Sequence, residues 1–290
     1  MTFLDVNSTA HVLLVLAYKI KLVEVPETVT VFRVTRTLEQ NVTEVVHRVT
    51  RTLKLPEEIF IRTTMEVVNG AVSSQKTARA TFLARFLGDA STLLSILNRR
   101  LPELGLVRSD CIETSWIHSV LFWTDIQVGT SEKVLLERNE TLMYIKRKSD
   151  YVLEPISRTG LESIWRKMIE LETPSAIAFN PYGGMMAKIS STATPFPYRA
   201  GNLSKIQYDT DWGEDSLTNW YMKLTRKLYR FMTPFVSKNP RQSSYVEGKR
   251  YGEIYFAGNF ERLVEIKTRV DSGNFFRNEN SIPVKPYFNS

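Results

Sequence analysis

The feature that most constrains the fold is a pair of strand-like stretches that follow one another along the chain. "EIFIRTTMEVV" (58–68) and "KTARATFLARFLG" (76–88) are rich in β-branched and aromatic residues, and the polar segment from Asn69 to Ser74 separates them. Two such runs joined by a short polar segment are typical of an antiparallel hairpin. The sequence therefore predicts a sheet built from antiparallel neighbours.

Other stretches extend this sheet. "AYKIKLVEVPETVTVFRVTRT" (17–37) predicts two strands joined at Pro26 and Glu27, whereas "SAIAFNP" (175–181) and "LSKIQYDTDW" (203–212) predict two later ones. Their β-branched and aromatic content matches the half-buried surface of a strand. The strands thus come both before and after the middle of the chain.

Five segments have helical periodicity, with apolar residues three and four apart. Asp89 is placed to cap the second helix, and Thr159 and Glu162 have capping-box spacing at the start of the third. The segments are 38–53, 89–101, 159–171, 214–235 and 247–270. Strands and helices interleave with antiparallel-style turns, which predicts an α+β fold: one antiparallel β-sheet covered by helices, in a single domain.

Charge and composition exclude several classes of function. The net charge is +7, but Lys and Arg alternate with acidic residues, and the densest basic run is only Lys146 to Lys148. No nucleic-acid-binding motif accompanies it, so we expect no nucleic-acid partner. The three histidines (His11, His47 and His118) are far apart, which argues against a zinc site.

The single cysteine and the N-terminal region carry little chemistry. Cys111 excludes an internal disulfide and is expected to be a small buried hydrophobe. The apolar run from Val12 to Tyr18 is too short to cross a membrane, and no basic region precedes it as in a signal peptide. We therefore predict no transmembrane segment.

Common catalytic motifs are absent from the sequence. It contains no glycine-rich dinucleotide or P-loop motif, no H-E-x-x-H and no G-x-S-x-G. The sequence thus gives no support for a protease, a kinase or a Rossmann dehydrogenase.

The candidate site lies in and after "AFNPYGGMMAKISSTATPFPYRAG" (178–201). The pair Gly183 and Gly184 lets the backbone bend or approach another group closely. Tyr182 and Tyr198 are candidates to line a cavity, and Tyr208 is another on the following strand, beside Gln207. A bulged strand pair whose glycines fit against a helix explains the same residues, and spacing alone favours that structural interpretation.

Four segments together resemble the plant berberine bridge enzyme-like (reticuline oxidase-like) family of FAD-linked oxidases of the vanillyl-alcohol oxidase type. The resemblance runs from about Val12 to Pro283, and the segments occur in the family's order. They are "ETVTVFRVTRTLEQN", "DCIETSWIHSVLFW", "SAIAFNPYGGMMAKISSTATPFPYRAGNL" and "FERLVEIKTRVDSGNFFRNENSIP".

The resemblance implies a division of the chain and a chemistry. Residues 12–23 correspond to the last strand of an FAD-binding domain, 24–236 to the α+β substrate-binding domain, and 237–290 to the family's C-terminal segment. The family transfers a hydride from an alcohol, amine or phenolic small molecule to flavin, with O₂ as the acceptor. Gln207 takes the place of the catalytic Gln or Glu. The tail residues implied to lie near the flavin ring are Phe275, Phe276, Asn278 and Ile282. A C-terminal stretch that docks on the core is equally compatible with these residues.

Several family features are missing. The glycine-rich lead-in is replaced by "MTFLDVNST", and the His and Cys that link the flavin have no counterparts. The Asn-Tyr-Arg-Asp motif expected after Arg241 is absent, Tyr198 replaces a His, and Ser204 stands where a Tyr is common. We therefore expect a partial form that lacks most of the FAD-binding domain and is inactive alone. The alternative is a non-catalytic, truncated product that retains only the substrate wall.

The compartment rests on weak sequence evidence. Four Asn-X-Ser/Thr sequons occur, at Asn7, Asn41, Asn139 and Asn202, and such tripeptides also arise by chance. The family is secretory, extracellular or vacuolar, so the resemblance implies a glycoprotein in one of those compartments.

Overall fold

The computed structural model describes residues 21–51, 55–72, 75–138, 143–172, 175–237, 247–273 and 282–285. These residues form two compact units. The larger unit comprises Val25–Ala187 and Gly201–Ser237. The described residues of the smaller unit are 21–24, 188–200, 247–273 and 282–285.

The larger unit is built on a seven-stranded sheet in the order β4-β1-β3-β2-β6-β7-β5. All of its strand pairs are antiparallel, and β2 and β3 form the predicted hairpin. The strands are β1 (Val29–Thr37), β2 (Ile59–Asn69), β3 (Lys76–Phe86), β4 (Cys111–Thr114), β5 (Tyr144–Val152), β6 (Ala176–Pro181) and β7 (Ser204–Trp212). The predicted α+β class, an antiparallel sheet with helices, is confirmed.

Helices connect these strands and continue beyond them. The larger unit holds α1 (Val42–Arg51), α2 (Ala90–Arg100), α3 (Trp116–Trp123), α4 (Arg158–Glu170), the short α5 (Gly184–Lys188) at its boundary and α6 (Thr218–Phe231). The smaller unit holds α7 (Glu247–Phe256) and α8 (Phe260–Val270). Asp89 caps α2 as predicted, accepting a hydrogen bond from the backbone N–H of Thr92 at 2.9 Å.

One face of the sheet carries the hydrophobic core. Alternate residues of each strand point to this face, where α1, α2, α4 and α6 supply the matching apolar side chains. Fully buried members include Phe32, Met65, Phe82, Trp165 and Tyr208. We call this the covered face and the opposite side the open face.

Several helix boundaries differ from the sequence prediction. Asn41 adopts a left-handed conformation (φ 58°), so α1 begins at Val42 after a short 3₁₀ turn. Ser157, not Thr159, caps α4 by accepting from the Gly160 N–H at 3.1 Å. Ala257 (φ 45°) lies in a 3₁₀ turn that splits the predicted long helix into α7 and α8.

Strand predictions also needed correction. Residues 21–25 are not a strand, so the first of the two strands predicted over 17–37 is wrong for its described part. The short strand β4, helix α3 and the edge strand β5 were not predicted. β5 was missed because its Lys146–Lys148 run suggested a solvated surface.

Cys111 and His47, two possible chemical groups in the sequence, both lie in the interior. Cys111 is buried as predicted, and burial raises the pKa of its thiol. His47 Nδ1 lies 3.0 Å from the carbonyl oxygen of Ile156 in the core. Within the described ranges, no group of His, Cys, Asp and Glu side chains could hold a metal ion. No described helix is both long and apolar enough to span a bilayer.

Candidate functional site

Gln207 lies on the open face, at the centre of a group of polar side chains. It is on β7, opposite Ala178 of β6 and Ser149 of β5. Because side chains alternate along a strand, Lys205 and Asp209 share its face. The Gln207 side chain hydrogen-bonds to Asp209.

Neighbouring strands complete this group. Asn180 of β6 lies opposite Lys205, and its Oδ1 accepts a hydrogen bond from Arg62 Nε of β2 at 2.8 Å. The polar cluster therefore consists of Arg62, Asn180, Lys205, Gln207 and Asp209, all of which are partly buried. It offers two amides, a carboxylate and two cations on one surface, which suits hydrogen bonding to hydroxyl or carbonyl groups of a ligand.

Burial and the Arg147 cation shift the pKa of Asp209 in opposite directions. Burial is the largest influence and raises the pKa of its carboxyl above the ordinary value, with the carboxylate of Asp211 adding to the rise. Arg147 opposes it, with its Nε 2.7 Å from Asp209 Oδ1. The hydrogen bond from Gln207 also lowers the pKa, so Gln207 stabilises the ionised carboxylate.

Tyr208 points away from this cluster. Its side chain is fully buried on the covered face, where its hydroxyl donates to Asp150 Oδ2 at 2.9 Å and its ring packs edge-on against Tyr229. The substrate-lining role predicted for Tyr208 is therefore inconsistent with its burial in the core. The physical reason is the two-residue period of a strand, which separates adjacent side chains.

Tyr182 lies near the end of the polar cluster. Its backbone N–H donates to the Leu203 carbonyl at 2.9 Å, immediately after β6 and before β7. Its ring packs edge-on against Tyr151 of β5, with 5.9 Å between centroids. Tyr151 is opposite Lys205 on the open face. This arrangement is compatible with the substrate-lining role predicted for Tyr182, which stays a prediction.

The glycine pair lies where β6 leads into α5. A Cβ added at Gly183 would meet no atom within 4 Å. Gly184 has φ +54°, a conformation that favours glycine where the chain turns into α5. The β6–β7 pairing is regular from Ala176 to Pro181, so the alternative of a bulged strand pair is wrong.

Tyr198 belongs to the smaller unit. Its hydroxyl donates to the Ile254 carbonyl of α7, and its ring packs edge-on against Phe196. The buried Asn259 amide nitrogen also donates to carbonyls of this segment, at 3.2 Å from Ser191 and 3.1 Å from Thr194. Tyr198 is thus 8 % exposed and held by packing within this unit.

Of the tail residues, Phe275, Phe276 and Asn278 lie outside the described residues. Ile282 is partly buried in the smaller unit. Three residues later, the Lys285 backbone N–H donates to Thr268 Oγ1 of α8 at 2.8 Å. This contact matches the alternative that the tail docks on the core of its own unit.

Two of the four sequons can be placed. Asn41 is exposed at the turn before α1, and Asn202 is partly buried just before β7. Asn7 and Asn139 lie outside the described residues.

A concavity lies on the open face of the sheet beside α3. It has a volume of about 400 Å³. The Arg85 guanidinium lies 5.5 Å from the Trp116 ring centroid and 5.7 Å from that of Trp123, and burial lowers its pKa. Arg62 and Phe60 also contact Trp123. These contacts fasten α3 to the sheet.

The described residues fit only part of an FAD molecule. Proteins usually hold a dinucleotide pyrophosphate at a glycine-rich turn before an open helix N-terminus. Here α2, α3 and α4 are capped by their own Asp89, Ser115 and Ser157 side chains. The first turns of α6 and α8 have no side-chain cap, but no glycine-rich turn precedes either helix. The Gly183–Gly184 pair leads only into the five-residue α5. The described ranges therefore show no nucleotide cradle, whereas the polar cluster fits a wall facing a ring or a substrate.

Two further residues of this site could have been predicted from their spacing in the sequence. Lys205 and Asp209 flank Gln207 at a spacing of two, which places them on the same strand face once β7 is recognised. Arg62 and Asn180 come from strands far away in sequence, so only the sheet order brings them to Gln207.

Comparisons with known proteins identify close relatives. Residues 230–283 match the family model described as "Berberine and berberine like". Berberine bridge enzyme-like 8 of Arabidopsis thaliana is 71% identical over 292 residues, covering 94% of this chain and 55% of the relative. The chain thus spans about half the length of the curated relatives it matches.

Solved structures agree with this match. The structure of BBE-like #28 from Arabidopsis thaliana has a TM-score of 0.82 and 37% identity, covering 92% of this chain and 59% of that one. A variant of berberine bridge enzyme in complex with (S)-reticuline has a TM-score of 0.78 and 30% identity, with coverage of 92% and 57%. Sequence and fold together show that this chain belongs to the berberine bridge enzyme-like family.

Proposed function

We propose that this chain forms the substrate-binding wall of an FAD-linked oxidoreductase that acts on a small molecule. The observation that carries this proposal is the polar cluster around Gln207, on the open face of the sheet. Membership of the berberine bridge enzyme-like family supports the reaction type. The reticuline bound to a relative supports a small-molecule substrate.

The residues of the cluster have separable tasks in this proposal. The Gln207 amide binds and orients a substrate hydroxyl or carbonyl group, while Asn180 and Lys205 donate to further oxygens. Asp209 keeps Gln207 in place through their hydrogen bond. When bound, FAD would supply the hydride acceptor and O₂ its reoxidation. A rigid sheet suits the positioning task, because small displacements of reacting groups slow catalysis strongly.

The proposal includes a limit on this chain alone. The sequence lacks counterparts of the flavin-linking His and Cys, and the Gly183–Gly184 pair leads only into the five-residue α5. We therefore propose that the chain by itself neither retains FAD nor turns over. Phe275, Phe276, Asn278 and Ile282 remain the proposed contacts of the tail with the flavin ring.

A secretory or vacuolar glycoprotein is the corresponding proposal for localisation. Asn41 is exposed on a left-handed turn, which makes it the best-placed described sequon. Expression in a plant secretory pathway should give a mass that falls after enzymatic deglycosylation, and Asn41→Gln should remove part of that change. An unchanged mass would contradict the proposal.

The test of function uses two chimeras with the Arabidopsis relative. Both add the relative's N-terminal part to this chain, and the second also restores the relative's residues after Arg241. We expect both to retain flavin, and only the second to consume O₂ with a panel of alcohols, sugars and amines. The chain alone should elute from gel filtration without flavin absorbance.

Gln207→Leu in the second chimera then tests the wall itself. Loss of the amide should lower kcat/KM about ten- to a hundredfold, the cost of one or two hydrogen bonds in a buried site. Gln75→Leu, in the exposed β2–β3 turn, is the matched control. Equal activity of both variants, with flavin retained, would overturn the assignment of Gln207.

A further inference from the structure

The outward side of α6 carries only positive charge. Its exposed residues follow a spacing of three and four and lie on one helical face: Asn219, Trp220, Lys223, Arg226, Lys227 and Arg230. Leu224 and Leu228 occupy the opposite face and are buried against the sheet. The helix therefore presents a stripe of four cations that begins beside a tryptophan.

These four cations have no acidic partners in the described part of the chain. No ion pair joins Lys223, Arg226, Lys227 or Arg230 to a described carboxylate, although Arg147 and Lys167 nearby are both paired. α6 itself contains no acidic residue. Glu214 and Asp215 precede the helix, at the end away from Arg230. Four like charges at this spacing repel one another, so an anionic ligand would stabilise them.

The adjacent edge strand adds two more cations. Lys146 and Lys148 of β5 point to the covered face, toward α6, and Lys148 Nζ lies 4.2 Å from the centroid of Tyr229. Arg147, between them, points to the open face and pairs with Asp209 and Asp211. The fold thus splits the densest basic run of the sequence and adds its outer members to the α6 stripe.

An aromatic stack lies at the N-terminal end of the stripe. Trp220 packs edge-on against Tyr221, and Tyr221 stacks on Trp212 with 5.3 Å between centroids. Trp212 stacks in turn on Tyr144 at 6.0 Å. Trp220 is 49 % exposed and Tyr144 is 43 % exposed, which is unusual for such large rings. A flat apolar ring is therefore available next to the cations.

We propose that this α6 surface (Lys146, Lys148, Trp220, Lys223, Arg226, Lys227 and Arg230) binds an acidic polysaccharide. The carboxylate or sulfate groups of such a chain pair with the cations, and the apolar face of one sugar ring packs on Trp220. The surface lies on the helix layer, on the other side of the sheet from the polar cluster. Its binding is thus independent of the proposed reaction.

Other polyanions fit the surface less well. Membrane-surface helices insert an apolar face, but the apolar side of α6 is buried in the core. Single-stranded nucleic acid binds where several rings follow the backbone to stack successive bases. Here the exposed rings lie at one end of the stripe only.

The experiment measures binding of the full chain to polygalacturonate and to heparin, with dextran as the neutral comparison. We expect retention on both acidic polymers at low ionic strength, release by salt, and no retention on dextran. Changing Lys223, Arg226, Lys227 and Arg230 together to Gln should weaken binding more than about tenfold, since four charge contacts with the polymer are lost.

The control variant loses four positive charges, as the α6 variant does, but its substitutions are spread over other parts of the surface. Arg51, Arg99, Lys133 and Arg166 are exposed, and changing them to Gln should leave binding within about twofold of the unmodified chain. Equal weakening of both variants would overturn the proposal, because net charge alone would then explain retention. Circular dichroism verifies that both variants fold.

Two further arms test the ligand class. Trp220→Ala should weaken polysaccharide binding a few-fold while leaving its dependence on salt unchanged, because it removes stacking and no charge. No effect of Trp220→Ala would remove the sugar-stacking part of the proposal. Tighter binding to oligo-deoxythymidylate or to phosphatidylserine vesicles than to polygalacturonate would overturn it in favour of nucleic acid or lipid.

Discussion

The two faces of the sheet differ although the same strands build both. In β7, Ile206, Tyr208 and Thr210 point to the covered face and are fully buried. The residues that alternate with them, Lys205, Gln207 and Asp209, point to the open face and are only partly buried. The first set packs against helices, whereas the second forms hydrogen bonds and ion pairs across strands. A single strand thus contributes to stability through one face and to recognition through the other.

This difference separates two kinds of substitution. On the covered face, a lost side chain leaves a cavity that the helices cannot easily fill. On the open face, a lost side chain changes hydrogen bonds that solvent can partly replace. Neighbouring residues in the sequence should therefore respond very differently.

The largest effect is expected for Phe82→Ala. Phe82 is fully buried on the covered face of β3, so its removal should lower the free energy of unfolding by about 3–5 kcal/mol. Thr81→Ala, one residue earlier on the open face, should cost less than about 1 kcal/mol. Urea denaturation followed by circular dichroism measures both, and similar losses would contradict the distinction between the faces.

The covered face could largely be predicted from the sequence. The β2–β3 hairpin, β6, β7 and the Asp89 cap follow from local patterns, because periodicity and capping depend on nearby residues. The polar cluster could not be predicted in full. Arg62 reaches Asn180 over 118 positions of sequence, and no local pattern encodes that contact.

Local conformations account for most of the errors. The split between α7 and α8 depends on Ala257 adopting a positive φ, which nothing in the apolar pattern indicates. β5 lacks the alternating hydrophobicity of a half-buried strand because both of its faces carry charge. Tyr208 was predicted to line a cavity as Gln207 does, but the alternation of side chains along β7 places the two on opposite faces and buries Tyr208.

Removing a single hydroxyl group on each face, with Tyr208→Phe and Tyr182→Phe, compares the two faces more finely. Tyr208→Phe removes the donor to the buried Asp150 carboxylate and should lower the free energy of unfolding by about 1–3 kcal/mol. Tyr182→Phe, at the end of the polar cluster, should change it by less than about 0.5 kcal/mol. In the second chimera, only the Tyr182 variant should alter KM. A change in KM for Tyr208→Phe but not for Tyr182→Phe would show that Tyr208, and not Tyr182, contacts the substrate.

The smallest effects concern two carboxyl groups whose pKa values shift in opposite directions. Asp209, on the open face, has a pKa raised above 3.8 by burial. Asp89, at the start of α2, has a pKa well below 3.8. The main cause is the hydrogen bond it accepts from the Ser91 hydroxyl, and the bond from the Thr92 backbone N–H adds to it. The folded state therefore holds the Asp209 proton more tightly than the unfolded chain, and the Asp89 proton less tightly.

The signs of the pH dependence follow from proton binding. As pH falls through the raised pKa of Asp209 toward 3.8, the unmodified chain should gain stability relative to Asp209→Asn. As pH falls below 3.8, the chain should lose its advantage over Asp89→Asn, which is fully present above 3.8. Urea denaturation of the three proteins between about pH 3 and 6 measures both differences. Parallel trends in the two variants would show that the open-face carboxylate is as well solvated as the helix cap, and the polar cluster would then lack the partly buried character on which its proposed role depends.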